Sequence, residues 1–81
     1  MRIVDAIATL PLQKLLLVEE HGRYAILEQM ANRPPQPCQG NLSMADAISQ
    51  WRPRVFGMFM FVTHNEQDSE KMTERRLSCI H

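Results

Sequence analysis

Three histidines and two cysteines have the widest chemical repertoire in this chain. Cys79 and His81 stand two apart, a spacing that puts both on one face of a strand; with Cys38, His64 or His21 they could complete a zinc site. No pair at the short spacing of a zinc motif supports that set, so neither a metal nor another cofactor is expected. A nucleophilic Cys38 would need a neighbouring base, an orienting carboxylate and an oxyanion hole, and the flanking "QPCQG" announces none of them. Glu19, Glu20 and Glu28 carry general acid–base chemistry, but as hairpin residues they take solvent-facing positions, with Arg23 opposite Glu20. The three glycines are isolated at 22, 40 and 57, so no glycine-rich loop cradles a phosphate. No catalytic constellation forms, and the chain is expected not to be an enzyme.

Nine basic residues balance nine acidic ones, which leaves no general field toward phosphate backbones or anionic membranes. A local basic surface remains open to Arg2, Arg52, Arg54, Arg75 and Arg76. Were these to converge, the chain would bind nucleic acid with a steep salt dependence, the alternative functional expectation. "RVFGMFMF", residues 54–61, also resembles in part the aromatic strand of RNA-recognition motifs, which opens with a basic residue, Gly, an aromatic, Gly and an aromatic. Arg54, Phe56, Gly57 and Phe61 fit. Val55 stands where that family has glycine and Met58 where it has its second stacking ring, so the resemblance implies one base platform instead of two. A core strand, with Gly57 at a bulge or close approach, explains the same residues.

The elements that must position these groups follow from patterning. Eighty-one residues make one domain, and a chain this short buries only about 60–65% of its unfolded surface, so a partner subunit would help it. Ile3, Ile7 and Leu10 have helical i, i+4, i+7 spacing, as do Met44, Ile48 and Trp51. The segments share Asp-Ala-Ile at 5–7 and 46–48, both precede a proline (Pro11, Pro53) expected to stop them, and the second opens on a Ser43 cap. They suggest a helix–hairpin pseudo-repeat with half-repeats at about 2–31 and 43–80, joined by a Pro-rich loop over 32–42.

Residues 14–30 are expected to fold as a hairpin about His21-Gly22, pairing Glu20 with Arg23, Val18 with Ala25, Leu17 with Ile26 and Leu16 with Leu27. The competing pattern is two helices, the first over 11–20 with Leu12, Leu15 and Leu16 on one face, giving a mostly α fold. Val55 to Val62 is apolar at both parities, which reads as a strand covered on both faces at the sheet centre. Residues 68–80 fit a strand or a helix equally.

The expected fold is α+β: one small domain with two short helices packed on an antiparallel sheet. With few cysteines, no secretory signal and no apolar run of spanning length, a reducing cytoplasmic setting without membrane is expected. The expected function is a protein-interaction module: a regulator, adaptor or stoichiometric inhibitor, self-associating as a homodimer. Its contact residues are Trp51, Met58 and Met60, because methionine adapts to partners and tryptophan anchors interfaces, together with Arg33, Pro34, Pro35 and Gln36 of the loop.

Overall fold

In the computed structural model, which describes residues 1–10 and 13–80, local turn chemistry sets the centre of the fold. Strands β2 (Gln13–Glu20) and β3 (Arg23–Met30) flank His21-Gly22. The expected pairing holds: Glu20 with Arg23, Val18 with Ala25, Leu17 with Ile26, Leu16 with Leu27. Both turn residues have positive φ, 53° at His21 and 80° at Gly22, the mirror-image turn whose twist suits a hairpin. Glycine takes this conformation without a Cβ clash. The Glu19 carboxylate braces the turn by accepting the Gly22 N–H at 3.1 Å. Residues 13–30 are therefore not helical, and Pro11 and Leu12 of the competing helix lie outside the described residues.

Strand β1 (Arg2–Leu10) pairs antiparallel with β2, and β4 (Gln36–Leu42) with β3, so the sheet order is β1-β2-β3-β4. The helix expected over residues 3–10 is corrected to a strand. Its helical spacing has a physical cause: register shifts between Ile3 and Asp5 and between Ala8 and Leu10 add residues that break strict alternation. Val4 and Ile7, three apart, thereby both pack on the core side. The loop expected over 32–42 is shorter than its proline count suggested, because Gln36–Leu42 forms an edge strand. An edge tolerates Pro37 and Gly40, since one side of its backbone needs no ladder partner.

Helix α1 (Met44–Thr63) begins where expected, with the Ser43 hydroxyl accepting the Asp46 N–H at 3.1 Å. It does not stop at Pro53, and the sheet-centre strand expected over 55–62 is the second half of this helix. The sequence holds the signal: Ala47, Trp51, Val55, Met58 and Val62 continue one helical stripe through the proline. Pro53 is exposed, so water can reach the Ser49 carbonyl it leaves without a donor. Its cost of about 3 kcal/mol is opposed by Trp51 and Val55, both fully enclosed. An indole alone buries about 150–250 Å², worth about 4–6 kcal/mol.

Helix α2 (Glu66–Ser78) resolves the 68–80 ambiguity in favour of helix. His64 in the left-handed region ends α1, and Asn65 caps α2 by accepting the Asp68 N–H at 2.9 Å. The two helices pack as a hairpin, with the Thr63 and Ser69 hydroxyls 2.7 Å apart. The helix–hairpin repeat is not the order of this fold: the two Asp-Ala-Ile segments are a strand and a helix. The class is the expected one, α+β with two helices on an antiparallel sheet, although α1 is longer than foreseen.

Both helices lie on one face of the sheet. Ile7, Leu15, Leu17, Tyr24 and Ile26 meet Ala47, Trp51, Val55, Leu77 and Ile80 in a single core. A polar clamp closes it beside β1. Asp5 accepts from Trp51 Nε1 at 2.9 Å, from Arg76 Nε at 2.9 and 3.2 Å, and from Arg76 Nη2 at 2.7 Å. Among the described residues, no helix is long and apolar enough to cross a membrane.

Candidate interaction surfaces

The expected contact residues separate once folded. Trp51 is fully buried and hydrogen-bonded to Asp5, so a partner cannot reach it, and its contact role is corrected to that of a core anchor. Met58 and Met60 are half-buried on α1, and Met58 packs against the core. Arg33, Pro34, Pro35 and Gln36 are all exposed at and just after the β3–β4 connection. The residues missed by sequence reasoning are Phe61 and Val62, 82% and 70% exposed in the last turn of α1. Helical phase past Pro53 was the signal for them, since it carries the apolar stripe to the helix end.

The five arginines considered for nucleic acid are largely occupied by carboxylates. Arg2 pairs with Glu19 at 3.1 Å, Arg52 with Glu74, and Arg76 with Asp5 while also donating to the Ala6 carbonyl at 2.8 Å. Arg54 acts on β4, where its charge favours the Cys38 thiolate. Arg75 is exposed on α2.

The groups weighed for catalysis are spread through the fold. Burial, followed by the bond and charge of Glu28, raises the Cys38 pKa from 9.0, with Arg54 opposing, so the thiol keeps its proton at neutral pH. Its Sγ donates to Glu28 at 3.6 Å, and Glu28 also accepts from Gln13. The Gly22 N–H first, and then the Arg2 side chain, hold Glu19 below its ordinary 4.5. Cys79 ends α2, and His81 lies outside the described residues. Among the described residues, no three His, Cys, Asp or Glu side chains gather as a metal site.

The other face of the sheet is also largely closed along β2, where Leu16 and Val18 are 8% and 3% exposed. Residues directly opposite in a ladder share a face. Leu15 and Leu17 point into the core, so Leu16 and Val18 point away from the helices. Beside Val18 stand Ile3 and Ala25; beside Leu16 stand Ala6 and Leu27. Ile3 is 61% exposed, and Ala6 is exposed as well. Lys14 and Glu20 border this patch at the two ends of β2. The apolar run Leu15-Leu16-Leu17-Val18 was its sequence signal, because apolar residues at both parities mark a strand with two covered faces.

No protein-family model, curated protein or solved structure matches this chain.

Proposed function

We propose that the chain is a small non-enzymatic interaction module, acting in the cytoplasm by direct contact with a protein partner and associating with itself as a homodimer. The observation that supports this reading is the fading burial along α1. Val55 is fully enclosed, Met58 and Phe59 are half-buried, and Phe61 and Val62 are 82% and 70% exposed. Apolar side chains at the end of a stripe add little to this fold, and an adaptable methionine-flanked patch suits a partner surface. The exposed 33–36 segment is the second part of the contact surface.

The test is affinity capture of the tagged chain from host lysate, with and without nuclease, beside a Phe61→Asp/Val62→Asp variant. A stoichiometric protein that survives nuclease and is lost from the variant supports the reading. Bound material lost on nuclease treatment, or capture indifferent to the variant, overturns it. Nuclease-sensitive binding would turn attention to Arg54 and Arg75.

A further inference from the structure

We propose that the Asp5–Arg76 pair is a guard on the outer edge of β1, keeping that strand from pairing antiparallel with β1 of a second copy. The guard goes beyond the interaction-module reading, since it concerns an edge that the fold holds closed and not the Phe61 and Val62 surface.

The open sheet has β1 and β4 as its edges, and they differ in sequence. β4 is seven residues long and carries Pro37, which has no N–H, and Gly40, both of which weaken a ladder. β1 is nine residues long, has neither proline nor glycine, and contains Ile3, Val4, Ala6, Ile7 and Ala8. A long apolar edge of that kind is a template for another strand unless something blunts it.

The register shows where the template lies. A two-residue turn is flanked by a hydrogen-bonded pair, here Glu20 with Arg23, and bonded and non-bonded pairs alternate along an antiparallel ladder. Val18, Leu16 and Lys14 therefore turn their backbone groups toward β3, while Leu17 and Leu15 turn theirs toward β1, where they meet Asp5 and Ile7. Ala6 and Ala8, opposite Leu16 and Lys14, consequently face the outer edge with both N–H and C=O.

Ala6 has both groups occupied from within the chain. Its N–H donates to Asp5 Oδ1 at 2.9 Å, and its carbonyl accepts from Arg76 Nη2 at 2.8 Å. The same Nη2 donates to Asp5 Oδ1 at 2.7 Å, and Trp51 Nε1 holds the other carboxylate oxygen at 2.9 Å. An incoming strand thus meets a carboxylate where it needs a donor and a guanidinium where it needs an acceptor. Asp5 is a charge turned inward on an edge strand, a device that blocks edge pairing.

A second β1 is the occupant that the bare edge fits. With a two-fold axis beside Ile7, Ala6 of each chain lies opposite Ala8 of the other, and their N–H and C=O groups make the backbone bonds of hydrogen-bonded pairs. Every one of those bonds involves Ala6 of one copy or the other. Closing Ala6 alone therefore closes the whole register, although the clamp does not extend to Ala8.

Sedimentation velocity of the full chain tests the guard, with circular dichroism confirming that each variant is folded. Arg76→Ala frees the Ala6 carbonyl and should associate at least about tenfold more tightly than wild type, the gain of a few net backbone bonds. Ala8→Pro removes an edge-facing donor while sparing the β1–β2 ladder. In the Arg76→Ala background it should restore the wild-type level, and alone it should change nothing. Val55→Ala loosens the enclosed side of α1 without touching the edge and should also stay at the wild-type level. Arg76→Ala no more associated than wild type overturns the inference, as does association that survives Ala8→Pro or that Val55→Ala shares. A loss of wild-type association in Ala8→Pro alone overturns it too, since the edge would then already be open. Hydrogen exchange of the wild-type chain needs no variant: the Ala6 N–H should exchange at least about tenfold more slowly than the Ala8 N–H, and equal rates would refute the guard.

Discussion

Arg76→Ala opens the clamp that ties α2 to β1, and its cost follows from the geometry. The substitution removes the Nε and Nη2 contacts to Asp5 at 2.7–3.2 Å and the Nη2 bond to the Ala6 carbonyl at 2.8 Å. Bonds to a charged group are worth about 1.5–3 kcal/mol each, and removing one partner of a fully buried ion pair costs about 3–5 kcal/mol. The Asp5 side chain is only 14% exposed, but Arg76 is 33% exposed, and Asp5 keeps the Trp51 and Ala6 N–H groups. Screening at the arginine therefore lowers the expectation to about 2–3 kcal/mol, a large part of the stability of a domain this size. Urea unfolding followed by Trp51 fluorescence measures it. The pH dependence has a definite sign. Burial alone would raise the Asp5 pKa, but the bonds from Arg76 and Trp51 and the Arg76 charge bring it below the ordinary 3.8. A carboxyl with a depressed folded pKa contributes stability above its unfolded pKa and loses it as pH falls through the folded value. The advantage of wild type over Arg76→Ala should thus be flat from about pH 7 to about pH 5 and shrink below about pH 4. A neutral-pH difference under about 0.5 kcal/mol, or one that persists undiminished in acid, would refute this account of the clamp.

Two further changes test the reading of α1. Ser43→Ala leaves the Asp46 N–H without its hydroxyl acceptor and should cost about 1 kcal/mol in the same assay. Gly57→Ala should instead stabilise by about 0.5–1 kcal/mol, because Gly57 lies within the helix and an added Cβ meets no atom within 4 Å. Destabilisation at Gly57 would indicate a backbone contact on that exposed face.

Much of the fold was legible where one local rule acted alone. His21-Gly22 set the hairpin and its register, and Ser43 set the start of α1, because turn and cap chemistry involve residues only a few apart. The errors arose where two patterns share a signature. Bulges in β1 gave a strand the i, i+4 spacing of a helix, so Asp5 was not seen as the acceptor that joins β1 to Trp51 and Arg76. Pro53 drew attention to its local cost, whereas the buried stripe on the other side of the helix prevailed. For the contact surfaces, the same error hid Phe61 and Val62 and left Trp51 in view. Tryptophan is a core anchor as readily as an interface anchor, and only its distance to Asp5, a residue 46 positions away, separates the two.

Two segments of the chain are apolar at both parities, the mark of a strand covered on two sides, and one of them, residues 55–62, is helical. The other is Leu15-Leu16-Leu17-Val18, which is a strand, where Leu15 and Leu17 enter the core and Leu16 and Val18 lie on the face opposite the helices. A central strand facing water on one side would be expected to alternate with polar residues, as antiparallel sheets commonly do. Here the alternation starts only at the ends of the strand, with Lys14 and Glu20. The molecule is 35 × 30 × 15 Å, thin enough for one sheet and one helical layer, so its helices are already used on the first face. Leu16 and Val18 are nonetheless only 8% and 3% exposed, so the chain itself buries both faces of the apolar half of β2, which is why that run is apolar at both parities.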